Sequence, residues 1–408
     1  MRILFITPYP PSRIRIRSYG FIQNLSKYHD VTLLFLCSTG RERLDAQALQ
    51  GEGYRIIAVQ DSRFRKGLRT LRALFSGKPL QVAYDAAPRF ALAIRQQLAT
   101  ERFDLLHVEF IRALGALPET LPIPAVWDAV DCISLLYEQG GRSGATWLLR
   151  WLGAFEARRV RAYERAQLSR FSQILVTAPR DREALLHLCT NEEHKRVEQT
   201  APTITVLPHG IDPDPLRQER QAETLIFSGK MSFHANVAGA LFLTRQIMPL
   251  IWQQRPGVRL IIAGSNPPAR VRRLAQTGRI EVTGFVPDLR PFIQRATIAV
   301  CPLPYAVGIQ NKILEAMALE TPVIASPQAA AGLHAVVGQD LLVASEAEEF
   351  ANAVLQLLAD EQLRAKIGAG GRKYVTTFHD WQNIMRRLST IYELAVSPGR
   401  ELINSNMH

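Results

Sequence analysis

The sequence predicts an α/β protein made of two doubly wound domains, and three observations carry that prediction. At 408 residues the chain exceeds one ordinary core and suits two domains of about 150–200 residues each. Short apolar runs of strand length alternate with segments of helical period through the first half, the pattern of a parallel sheet covered by helices. After a polar stretch at 191–200 and a turn at 208–212, the alternation starts again. The expected domains are 1–200 and 201–378, with 379–408 forming a C-terminal helix that crosses back to the first.

The first domain opens with a strand at 3–6, a Pro-rich turn, a helix at 19–28 and a strand at 31–36, a βαβ start. Strands are expected at 54–59, 105–108, 125–129 and 173–177, with helices between them. A strand at 204–207 and the turn after it begin the second domain. Its strands are expected at 225–228, 259–263, 280–283, 298–301, 323–325 and 341–343. Helices are expected at 236–254, 268–276, 288–294, 310–319, 346–359 and 361–369, followed after His379 by a last helix at 381–396.

Apolar residues at 47% and charged residues at 21% describe an ordinary globular protein and exclude a disordered or fibrous one. The balance of 49 Lys and Arg against 37 Asp and Glu gives +12, which favours anionic partners such as phosphates or an acidic membrane surface. Nucleic acid is not an expected partner. The four cysteines, Cys37, Cys132, Cys189 and Cys301, form no CxxC pair, so neither a metal site nor a disulfide framework is signalled. The apolar run before Pro8 is too brief for a secretory signal, and no run reaches about 18 residues. The expected location is the cytoplasm, peripherally at the inner face of the membrane.

In open parallel sheets ligands sit beyond the carboxyl ends of the strands. The strongest constellation follows the strand at 298–301, where CPLPYAVG leads into a helix carrying Gln310, Asn311, Lys312 and Glu315 in its first turns. A helix N-terminus suits a diphosphate, and Gly308 lets a phosphate approach the backbone closely. Lys312 and Glu315 share one helix face. The cation suits phosphate and the carboxylate suits vicinal sugar hydroxyls. The same spacing also describes a simple surface ion pair.

The stretch GIQNKILEAMALETPVIAS resembles the donor-binding signature of the family-4 (group 1) retaining glycosyltransferases, whose GT-B fold has two Rossmann-like domains facing across a cleft. VLPHGID, IFSGK, IIAG and VTGFVPD resemble that family's other motifs, in the family's order. The resemblance implies that Glu315 binds the ribose of a nucleotide sugar, Lys230 contacts the diphosphate, and Phe285 and Val286 flank the base. Gly229, Gly308, Gln310 and Asn311 complete the donor-binding set, and Lys230, Lys312 and Glu315 are the catalytic candidates. The family's second acidic residue, eight positions before the ribose-binding one, is here Val307. The second basic residue expected after Lys230 is also absent from the stretch 233–236.

In the first domain, PYPPSRIRIRSYG offers Arg15 and Arg17 to a phosphate of donor or acceptor. His107, Asp128 and Asp131 follow strands, where the family places cleft residues. The segment from Trp147 to Arg165 sets Trp147, Trp151 and Phe155 at i, i+4 and i+8 beside Arg158 and Arg159, a pattern that suits a helix lying in an anionic membrane interface.

What the resemblance implies is transfer of a hexosyl or related sugar, with retention, from a nucleotide-diphosphate sugar to a glycan or lipid-linked acceptor in cell-surface polysaccharide assembly. No metal and no further cofactor are expected. A nicotinamide dehydrogenase is disfavoured because TPYPPSR after the first strand lacks a GxGxxG fingerprint. A GT-B sugar-nucleotide epimerase and a non-catalytic sugar-nucleotide binder remain as alternatives.

Overall fold

The structure is a computed structural model; it describes residues 1–12, 15–140, 147–189, 202–212, 220–306 and 308–397, apart from the side chains at 16, 139, 147–152 and 277. Two compact units make up the chain: Met1–Gly210 with the segment returning from Trp381, and Ile211–Asp380.

The first unit is a parallel seven-stranded sheet. Its strands are β1 (Arg2–Thr7), β2 (Asp30–Cys37), β3 (Arg55–Gln60), β4 (Leu105–Glu109), β5 (Ala125–Val130), β6 (Gln173–Val176) and β7 (Thr203–Val206), in the order β3-β2-β1-β4-β5-β6-β7. Every residue of β4, β5 and β6 is buried, as expected of parallel strands covered on both faces. The helix Trp381–Val396 belongs to this unit. Its Trp381 ring lies so close to Gly20 and Gly210 that a Cβ on either would come within 1.9 and 2.3 Å of it. Leu388 and Tyr392 from the same helix are fully buried.

The second unit repeats the plan with six parallel strands: β8 (Thr224–Ser228), β9 (Arg259–Ala263), β10 (Ile280–Gly284), β11 (Ile298–Cys301), β12 (Val323–Ala325) and β13 (Leu342–Val343), in the order β10-β9-β8-β11-β12-β13. Both sheets therefore have the order of a Rossmann-like doubly wound fold.

Several helices differ from their expected bounds for identifiable reasons. The first is Ile16–Leu25, not 19–28, because Arg17 is drawn into the interior instead of standing in a loop. The long helix expected at 236–254 is His234–Phe242, a π-helical turn Leu243–Ile247, and Met248–Gln254. Pro249 has no N–H to give and its ring crowds the preceding turn, which the widened turn accommodates. The helix expected to stop at 369 continues as Glu361–Phe378. Its glycines serve close packing: a Cβ on Gly368 would lie 2.4 Å from the Glu320 carbonyl, and one on Gly370 2.1 Å from that of Gln339. The segment expected at 268–276 is a short helix, Ala269–Arg272, followed by a 3-10 turn, Arg273–Thr277. All four cysteines are free thiols.

Candidate functional site

In the second unit β8 and β11 are neighbours, but the chain leaves β8 toward β9 and β10 and leaves β11 toward β12 and β13. Connections that diverge in this way open a crevice at the strands' carboxyl ends. Gly229 and Lys230 follow β8, and the helix Asn311–Ala318 follows β11, so both reach this point.

Gly229 has φ +146°, and a Cβ there would lie 2.9 Å from Asn236 Nδ2 and 3.0 Å from Lys312 Nζ. Only glycine lets the turn sit directly over the ammonium. The turn itself is braced from β9: Gly229 N–H donates to the Ala263 carbonyl at 2.9 Å. Gly264, at φ +144°, leaves room that a Cβ, 1.8 Å from the Gly229 oxygen, would destroy.

Lys312 Nζ donates to Asn236 Oδ1, and Asn236 Nδ2 donates to the Lys230 carbonyl at 2.9 Å. Asn236 thus ties the loop after β8 to the cation from the helix after β11. The ammonium also lies 4.9 Å from the Phe227 ring centre, and burial lowers its pKa, with Cys301 and Glu315 opposing the shift. The surface ion pair that the spacing allowed is not what the structure contains: Lys312 is held by the amide, not by Glu315.

The Glu315 carboxylate accepts no hydrogen bond among the described residues. Burial pushes this carboxyl up to about 7, Lys312 pulls it down, and Asp288, in the loop after β10, and Arg290, at the start of the next helix (Arg290–Arg295), push and pull in turn. That loop begins with Phe285, which is 43% exposed, and the half-buried Val286. Gly308 takes the left-handed conformation at φ +61°. Gln310 is the N-cap residue of the helix, and Asn311 keeps a buried Oδ1 without a partner among the described residues. Lys230 is exposed. Val307 lies outside the described residues.

The first unit gathers its candidates at the equivalent divergence between β1 and β4. Arg17 holds Asp128 with two bonds, Nε at 2.7 Å and Nη2 at 2.9 Å, and donates to the Leu207 carbonyl at 2.8 Å. His107 Nδ1 meets the Tyr392 hydroxyl at 2.8 Å, and its ring stacks on Phe5 at 4.2 Å. Burial and then the Arg17 charge hold His107 well below its ordinary pKa. These three side chains are buried and bind one another or the interior, which places them as a framework beneath the strand ends.

Asp131 is half-buried, accepts from Thr177 Oγ1 at 3.3 Å, and is pushed up to about 7 by burial and by Asp181. Arg15 lies 3.8 Å from the Tyr9 ring centre and 3.6 Å from Glu42, away from Asp128. The backbone is strained at the ends of two adjacent strands, at Phe110 (φ +65°) and Val130 (φ +67°), a feature that clusters at functional sites.

Two residues were missed by sequence reasoning. Asn236 was read only as a place where a cation is lacking; its position in the first turn of the helix after the Gly229 loop is the signal that could have found it. Glu109, two residues beyond His107 at the end of β4, accepts from Ser18 Oγ at 2.6 Å and leaves Oε2 buried without a partner among the described residues. Burial and the Asp128 charge push it up to about 8.

Of the membrane candidates, the Trp147 and Trp151 side chains lie outside the described residues. Arg158, with Arg161, Arg165 and His187, lines a cavity of about 600 Å³. Arg159 turns inward, donating to the Ala73 carbonyl at 2.6 Å and lying 3.8 Å from Glu156. No helix among the described residues is long and apolar enough to cross a membrane.

Comparison with known proteins bears on the second unit in sequence and on both units in fold. Residues 222–360 match the family described as Glycosyl transferases group 1. Sucrose-phosphate synthase from Thermosynechococcus elongatus superposes with a TM-score of 0.68 at 17% identity, over 98% of this chain and 100% of that one. Anabaena HepE in complex with UDP-glucose superposes at 0.64 and 14% identity, over 96% and 100%. An S. aureus TarM variant in complex with fondaparinux, α-GlcNAc-glycerol and UDP superposes at 0.65 and 8% identity, over 96% and 99%. The chain has the two-domain α/β fold of GT-B glycosyltransferases, with a group 1 glycosyltransferase domain at residues 222–360.

Proposed function

We propose that this protein transfers a hexosyl or related sugar, with retention, from a nucleoside-diphosphate sugar to a glycan or lipid-linked acceptor. The carrying observation is the convergence of Gly229, Lys312 and Asn236 beside Glu315, whose carboxylate accepts no hydrogen bond among the described residues, at the divergence of β8 and β11. A diphosphate there would meet a cation held in place before binding, in surroundings where charge interactions are stronger than in water. Glu315 would accept from the two ribose hydroxyls. Lys230, exposed beside the site, would add a second cation as the diphosphate leaves, without a metal or further cofactor. HepE bound to UDP-glucose and TarM bound to UDP support a uridine nucleotide as the first donor class to test. Retention rests on the signature at 308–326, and a role in polysaccharide assembly on the same kinship.

The test is a thermal-shift panel of UDP-, GDP- and ADP-sugars on wild type and Lys312→Met. One nucleotide class should raise the melting temperature of wild type with concentration and leave the variant unmoved. No shift with any of the three would overturn the donor assignment.

A further inference from the structure

The helix Arg63–Ala73 of the first unit is built inside out. Its inward side carries cations. Lys66, 3% exposed, donates to Asp85 at 2.7 Å, and Asp85 also accepts from Arg112 at 2.5 Å. Arg69 pairs with Asp61 and donates to the Tyr84 carbonyl at 2.8 Å. Its outward side is apolar: Phe64 is 81% exposed, Leu68 39%, Leu71 57%, and Phe75, in the turn that ends the helix, 92%.

Positions 64, 68, 71 and 75 are spaced i, i+4, i+7 and i+11, which lines them up in one narrow stripe. Exposed Arg65 and Arg72 flank the stripe on one side and Arg63 on the other, with Lys78 just beyond. Between Asp61 and Asp85 the sequence contains no carboxylate. A water-facing helix would place its charges outward and its phenylalanines inward, so this arrangement calls for an apolar partner.

We propose that this helix is a membrane-interface element, with Phe64, Leu68, Leu71 and Phe75 seated among acyl chains and the arginines at the level of anionic lipid headgroups. The charge selects the occupant. A second copy packed about a twofold axis would bring the same arginines against each other, which opposes pairing; an anionic bilayer complements them. The element is distinct from the Trp147–Arg165 segment, and it does not depend on which donor the second unit holds.

Co-sedimentation of the full-length protein with phosphatidylcholine vesicles, with and without phosphatidylglycerol, tests this. Wild type should bind the anionic vesicles and release with added salt. Phe64→Ser/Phe75→Ser should weaken binding at least about tenfold, and Arg65→Glu/Arg72→Glu should remove the preference for anionic lipid. Both variants should keep the wild-type thermal response to nucleotide sugar, which separates loss of membrane binding from loss of fold or donor binding. Wild type that stays in the supernatant, or a serine variant that binds as well as wild type, overturns the proposal. A wild-type dimer in sedimentation equilibrium that the serine pair dissociates also overturns it and assigns the stripe to a second copy.

Discussion

Replacing Glu315 by Gln should separate the cost of this residue from its use. A glutamate titrates near 4.5 when unfolded, and burial raises Glu315 to about 7 in the folded protein. Between those values the folded state binds a proton that the unfolded state does not. Stability from this residue is therefore fully present below about 4.5 and is lost as pH rises through about 7. The interval of about 2.5 pH units corresponds to about 3–4 kcal/mol. Gln keeps the shape without the charge, so the variant should match wild type near pH 4 and exceed its stability by up to that amount at pH 8. Donor binding should move the other way. Losing a charged acceptor for the ribose hydroxyls should weaken affinity by about 1.5–3 kcal/mol, roughly 10- to 100-fold. Urea denaturation at pH 4 and pH 8, with calorimetric titration of the stabilising nucleotide sugar, reads both effects. A variant no more stable than wild type at pH 8, or one that binds donor equally well, refutes the reasoning.

Other substitutions probe the framework around the site. Asn236→Leu removes the acceptor of the Lys312 ammonium and the donor to the Lys230 carbonyl, and should weaken donor binding by about 1–3 kcal/mol in calorimetry; unchanged affinity would show that Lys312 needs no such support. Gly229→Ala forces a side chain into a backbone at φ +146° and against Lys312, and should cost about 1–3 kcal/mol of stability, measured by thermal unfolding. Arg17→Met strands the buried Asp128 carboxylate and should cost about 3–5 kcal/mol. Faster hydrogen exchange in β4 and β5 would report it, and Asp128→Asn in the same chain should recover part of the loss.

The parallel strands were legible because each is a short apolar run closed by polar or turn residues, whereas the order of either sheet depends on which strands pair in the folded chain, since several doubly wound orders share the same crossover handedness. Helix ends were less legible, since they depend on tertiary partners. Glycines at 368–371 look like a stop in isolation and are close-packing positions in the fold. Arg17 reads as one of several loop arginines until β5 supplies Asp128, 111 residues away. Lys312 with Glu315 is the pair that local spacing suggests, whereas the partner chosen is Asn236, 76 residues distant. The role of the helix at 63–73 is hidden in the sequence for a related reason. Its period was visible, but which face turned inward depended on Asp61 and Asp85, whose positions only the folded chain fixes.

Product analysis by NMR of the full-length protein, with the nucleotide sugar that stabilises it and a panel of glycan and lipid-linked acceptors, tests the central claim most directly. Nucleoside diphosphate should appear in step with a glycosylated acceptor that keeps the donor's anomeric configuration. Epimerised free donor, an inverted product, or donor binding without turnover across the whole panel would contradict it.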